Sequence, residues 1–190
     1  NVCNLGLGDY DYSLGGVHSR LVEGYMDGTK VGAMGWCQGG YISAFVSTYS
    51  DRFRAVSVGA GISDWLTYYI GTDIHPFTRQ YLKATPWDDP EIYRRTSPIT
   101  YINRAKTPTL LQHGDQDKRV PPSNAFELYR GLQDRGVPSR LVLYKGFGHG
   151  INKPKEQLAV LTQNWEWFLE WIWGEKSSRD SGASPVGLDQ

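Results

Sequence analysis

Cysteine is scarce. The chain has two, Cys3 and Cys37, too few for the disulfide framework that staples small secreted domains. Cys3 reads as a small apolar residue or a surface thiol. An excess of charge is also lacking, with 20 Lys plus Arg against 20 Asp plus Glu. Without a basic run there is no electrostatic reason to expect nucleic acid or an anionic membrane as partner. No apolar stretch approaches the roughly 18 residues of a spanning helix, and no signal peptide is visible. The four histidines, His18, His75, His113 and His149, are dispersed, so no metal site is expected. No cofactor is expected, and internal repeats are absent.

What is present suits one domain of moderate size: 190 residues, 39% of them hydrophobic, enough for a core. The chain opens on Asn1 and a glycine-rich segment. It reads as a piece of a longer protein, with any targeting segment upstream. Cysteine scarcity points to the cytoplasm. Residues 1–175 read as the domain, and 176–190, polar with Ser, Gly and Pro, as a flexible tail.

Short apolar runs at 30–36, 53–61, 107–112 and 139–144 predict strands. Helices are predicted over 39–49, 121–135 and 154–173, with a weaker one over 10–24 that Gly15 and Gly16 interrupt. Ser123 is the expected N-cap of the second of these, and Gly136 sits just past its end. Leu158, Leu161, Trp165, Phe168 and Ile172 form the expected inward stripe of the last helix. Trp167, Trp171 and Trp173 then fall on its less buried faces. Residues 62–100, rich in aromatics and broken by four prolines, read as a small subdomain of short helices. Alternating strands and helices predict an α/β fold with a mostly parallel sheet covered on both faces.

In such a sheet, ligands bind beyond the carboxyl ends of the strands. Three chemically interesting residues fall there. Cys37 follows the first strand in Gly35-Trp36-Cys37-Gln38-Gly39, which has the G-x-S-x-G layout of a nucleophile elbow with cysteine in the serine's place. Asp117 follows the third strand and His149 the fourth. The chain order nucleophile, acid, base matches an α/β-hydrolase triad. Gly35, Gly39 and Gly40 supply the small residues a tight elbow needs, and the Gln38 N–H is the natural oxyanion donor. Asp115 competes with Asp117 as the acid. His113 is expected to be structural, bonding the loop that carries Asp117. His18 and His75 read as surface or loop residues.

Gly35-Trp-Cys-Gln-Gly-Gly-Tyr41, His113-Gly-Asp-Gln-Asp-Lys-Arg-Val-Pro121 and Tyr144-Lys-Gly-Phe-Gly-His-Gly150 together resemble the catalytic domain of the prolyl oligopeptidase family, of the acylaminoacyl peptidase and dipeptidyl peptidase type. Pro86-Trp-Asp-Asp-Pro90 and Thr96-Ser-Pro-Ile99 are similar to it as well. The resemblance implies an α/β-hydrolase fold, a peptidase acting on short peptides, and an upstream β-propeller. It puts Cys37 in the nucleophile's place, Asp117 in the acid's and His149 in the base's. Trp36, Trp65 and Tyr68 are the candidate substrate-binding residues.

Two departures from the family shape the expectations. The family nucleophile is serine, so a thiol here implies weak peptidase activity and better turnover of activated esters. The family domain also carries strands before this point, and one of them supplies a second oxyanion donor. Their absence leaves the first strand as an open sheet edge, a template for association with another copy. Two other readings compete. One is a thiol esterase resembling dienelactone hydrolase, which also places cysteine in a G-x-C-x-G-G elbow. The other is a catalytically silent interaction module, which the tryptophans of the last helix would serve.

Overall fold

The computed structural model describes residues 6–175; Cys3 and the segment 176–190 lie outside them. In chain order the elements are α1 (Leu7–Val22), β1 (Gly32–Trp36), α2 (Gln38–Tyr49), β2 (Ala55–Gly59), α3 (Trp65–Gly71), α4 (His75–Leu82) and α5 (Pro90–Thr96). A 3₁₀ stretch, Pro98–Arg104, leads to β3 (Thr109–Gly114), α6 (Ser123–Asp134), β4 (Ser139–Tyr144) and α7 (Pro154–Phe168), which ends in a π turn, Leu169–Trp173. Among the described residues the strands form one sheet in the order β1-β2-β3-β4, with every pairing parallel. Every residue of β2 and β3 is buried, as a strand covered on both faces requires.

The weak helix forms. A β-carbon on Gly15 or Gly16 would meet nothing within 4 Å, so the two glycines cost helix propensity without serving a close approach. Tyr10, Leu14 and Val17, at i, i+4 and i+7, fasten α1 to the core around Val46 and Leu128. Ser123 is the first residue of α6 rather than its cap; the cap position is Pro122, and no side chain bonds there. Gly136 adopts φ 67° past the helix end, as expected.

The last helix is rotated from its expected setting. Leu158, Leu161 and Trp165 are exposed, at 64%, 62% and 66%, whereas Trp167, expected on a less buried face, is 3% exposed. Phe168 and Ile172 do pack inward, with Trp171, around Trp167, Ala55 and Leu110. The cause is polar. Ser57 and Gln112 are buried in the central strands and need partners. Asn164 of α7 accepts from Ser57 Oγ at 2.6 Å and from Gln112 Nε2 at 2.9 Å. Turning Leu161 and Trp165 onto the sheet would remove Asn164 and strand both groups. The apolar side so left out meets the outer edge of β1, which no described strand pairs and where Met34 is 63% exposed. Met34, Leu161, Trp165 and Trp173 border a groove of about 430 Å³ there.

Residues 62–100 fold as short helices. Asp64 caps α3 by accepting from Leu66 N–H at 2.6 Å, and Asp89 caps α5 by accepting from Ile92 N–H at 3.1 Å. Their aromatics pack on α2: Trp65 lies edge-on to Tyr41 at 5.2 Å and to Tyr68 at 5.5 Å. This second core sits beside the carboxyl end of β1.

Candidate active site

The turn between β1 and α2 stands Cys37 in a conformation that L residues rarely adopt, φ 60°, ψ −116°. Two backbone bonds hold it: Cys37 N–H donates to the Gly59 carbonyl at 3.0 Å, and Tyr41 N–H to the Cys37 carbonyl at 2.9 Å. The turn closes only because side chains are missing. A β-carbon on Gly35 would fall 2.7 Å from Gly39 Cα, and one on Gly40 would strike the Gly59 carbonyl. Gly39 itself would meet nothing within 4 Å; its expected share in the close approach comes from its backbone alone. Gln38 opens α2, where a backbone N–H has no intrahelical partner and the helix end favours negative charge.

Asp117 is placed by the loop after β3. Its Oδ1 accepts from Arg119 N–H at 2.9 Å and from Val120 N–H at 3.0 Å. Its Oδ2 faces His149 Nδ1 at 2.8 Å. His113, 1% exposed, bonds the Val120 carbonyl through Nε2 at 2.8 Å and stands 3.4 Å from the same Oδ2. This is the structural role expected of it. Burial pushes the Asp117 carboxyl up, but the bonds from His113, His149 and Val120 N–H outweigh it and hold the group well below the usual carboxylate range. Asp115, the rival acid, instead accepts from Gly146 N–H at 2.6 Å and fixes the turn that leads to His149.

The loop after β4 carries His149 across the carboxyl end of the sheet to β1. There Trp36 Nε1 donates to the His149 carbonyl at 2.9 Å. His149 Nε2 is buried with no hydrogen-bond partner, so no bond joins it to the Cys37 thiol. Of the expected substrate-binding residues, Trp36 is therefore tied to the loop that carries His149. Trp65 is fully buried in the second core and lies behind the site. Tyr68, 2% exposed, belongs to the same wall. Burial raises its hydroxyl above the usual tyrosine range, and the bond with the Thr72 hydroxyl opposes.

The wall is fastened to the loop that carries Asp117 by contacts with no local sequence signal. Thr72 Oγ1 donates to the Arg119 carbonyl at 2.7 Å, Asp73 N–H to the Lys118 carbonyl at 2.9 Å, and Arg119 Nε to Asp73 Oδ1 at 2.8 Å. Among the described residues no group of three or more His, Cys, Asp or Glu could hold a metal ion. No described helix is long and apolar enough to cross a membrane.

Comparison with known proteins bears on this arrangement. The chain is 28% identical over 163 residues to dipeptidyl-peptidase 5 of Schizosaccharomyces pombe, covering 85% of this chain and 24% of the relative. It is 32% identical over 151 residues to the human acylamino-acid-releasing enzyme, covering 72% and 20%. The chain thus spans about a quarter of the length of the curated relatives it matches. Among solved structures, Pyrococcus horikoshii acylaminoacyl peptidase superposes with a TM-score of 0.86 at 28% identity, covering 93% of this chain and 30% of that one. These matches and the parallel sheet make the fold that of an α/β-hydrolase. Residues 4–175 match the model of the prolyl oligopeptidase family, and the chain belongs to that family of peptidases.

Proposed function

We propose that this chain carries out acyl transfer on short peptides or acylaminoacyl substrates, through a triad of Cys37, His149 and Asp117. The observation that carries the reading is the 2.8 Å contact between His149 Nδ1 and Asp117 Oδ2, at the carboxyl end of a sheet whose first strand ends in the strained Cys37 turn. His149 takes the thiol proton through Nε2 as Cys37 Sγ attacks the substrate carbonyl. The oxyanion accepts from Gln38 N–H. His149 then gives the proton to the leaving amine, the C–N bond breaks and a thioester remains. Water, deprotonated by His149, hydrolyses the thioester and restores the thiol. Asp117 holds the imidazole tautomer with Nε2 free to accept and stabilises its charged form. Tyr68 borders the acyl site.

Sulfur is larger than oxygen and bonds carbon at a longer distance. In a turn as fixed as this one it stands off the position an oxygen would take, and a misplacement of about 1 Å costs roughly a hundredfold. The expected result is slow cleavage of an acylaminoacyl p-nitroanilide, faster turnover of the matching p-nitrophenyl ester, and a gain of about a hundredfold on the anilide in Cys37→Ser. Equal anilide rates for the two proteins would overturn this.

The open edge of β1 carries a separate expectation. Among the described residues β1 has no strand on its outer edge, and backbone groups so placed beside an apolar groove favour pairing with a second copy. Light scattering at tens of micromolar is expected to report a dimer or larger species, and Met34→Lys to reduce it. A strict monomer for the unaltered chain refutes the association.

A further inference from the structure

Trp36 precedes the thiol by one residue, yet its indole reaches 113 residues along the chain to the His149 carbonyl, at 2.9 Å. The ring has little freedom to do anything else. A β-carbon on Gly59 would lie 2.8 Å from Trp36 Cζ3, so the indole rests on the backbone of β2. The Gly59 carbonyl in turn accepts from Cys37 N–H. One rigid side chain thus touches the strand that anchors the nucleophile and the loop that carries the base.

The rest of the His149 loop is held from the far side of the sheet. Gln116 N–H donates to the Phe147 carbonyl at 2.8 Å, Asp115 holds Gly146 N–H, and Asp117 holds the imidazole Nδ1. All of these tie the base to the end of β3. The Trp36 bond ties the His149 backbone to β1, where the thiol is. Among the described residues no other hydrogen bond ties the His149 loop to β1, and Nε2 has no partner of its own.

We infer that Trp36 is a positioning residue, whose indole N–H sets the separation between the His149 imidazole and the Cys37 thiol. The inference rests on the triad reading above. Its test replaces Trp36 with 3-benzothienylalanine, which keeps the bicyclic shape and puts sulfur where the donor N–H was. Trp36→Phe serves as the genetically encoded counterpart, and His149→Ala as the control. The readouts are alkylation of Cys37 by iodoacetamide at pH 6 and pH 9.5, and ester turnover.

Without the donor, alkylation at pH 6 is expected to fall about tenfold, and kcat for the ester by about 10- to 100-fold with KM unchanged. At pH 9.5 an ordinary thiol ionises unaided, so alkylation there is expected to match the parent. A merely structural defect would alter access to the thiol at both pH values and would raise KM. If His149→Ala slows alkylation at pH 6 and the donor-free variants do not, the positioning role is wrong and the triad stands. If His149→Ala itself leaves alkylation unchanged, the triad reading fails and this inference fails with it.

Discussion

Asp117→Asn is expected to lower ester turnover by about 10⁴-fold with little change in KM. The reason lies in which oxygen does what. Oδ1 accepts two backbone N–H groups, from Arg119 and Val120. In the amide, only the carbonyl oxygen can keep those two bonds. The NH₂ group is then forced into the place of Oδ2, facing His149 Nδ1 across 2.8 Å. A donor there obliges Nδ1 to accept, so the ring proton moves to Nε2, the atom that takes the thiol proton in the proposed mechanism. The fold survives, because the side-chain shape and the two bonds to Oδ1 are kept, while the imidazole is locked in the wrong tautomer. Asp115→Asn is the control. Its carboxylate only accepts from Gly146 N–H, which an amide oxygen can also do. A loss below tenfold for Asp117→Asn would overturn the assignment.

The same substitution has a signature in stability. The folded Asp117 carboxyl lies below its unfolded value, since bonds from His113, His149 and Val120 N–H outweigh the effect of burial. A depressed carboxylate stabilises the fold above the unfolded value, about 3.9, and that contribution is lost as pH falls through the folded one. The melting temperature of the parent is therefore expected to fall more steeply below pH 4 than that of Asp117→Asn. Parallel curves would show that the carboxylate is not coupled to folding.

The residues at strand ends were legible because each carries its own local signal. Cys37 sits in a glycine-flanked turn after an apolar run, and His149 in a glycine-rich loop after another. Asp117 was separated from Asp115 only by the fold, which turns one toward the imidazole and the other toward Gly146. The sheet followed from apolar runs of strand length. The setting of α7 did not, since apolar spacing counts Leu161 and Trp165 but not the needs of Ser57 and Gln112, which Asn164 meets. Trp36 is a candidate substrate-binding residue in the sequence, and the fold adds a contact that the sequence does not announce. Its bond to His149 spans 113 positions, and no local pattern encodes such a contact. The same holds for the Asp73–Arg119 pair, 46 positions apart.

Gly40→Ala is expected to destabilise the domain by about 3 kcal/mol or more, and Gly39→Ala to leave it unchanged or more stable by up to about 1 kcal/mol. These neighbours look alike in the sequence. In the fold, a methyl on Gly40 would strike the Gly59 carbonyl oxygen and lie 3.0 Å from Gly61 Cα. Both are backbone atoms of a fully buried segment, so no side-chain rotation relieves the overlap, and α2 must move off β2. A methyl on Gly39 meets nothing within 4 Å and removes the entropic cost of glycine in a helix. Thermal melting separates the two: about 10 °C lower for Gly40→Ala at this chain length, and at or above the parent for Gly39→Ala. The local consequence is as informative as the global one. The carbonyl that Gly40 crowds is the one holding Cys37 N–H, so Gly40→Ala should also relax the strained φ of Cys37 and slow its alkylation at pH 6, even well below the melting transition. Parent-like melting and alkylation in Gly40→Ala would mean that the close approach of α2 to β2 does not hold the thiol in place.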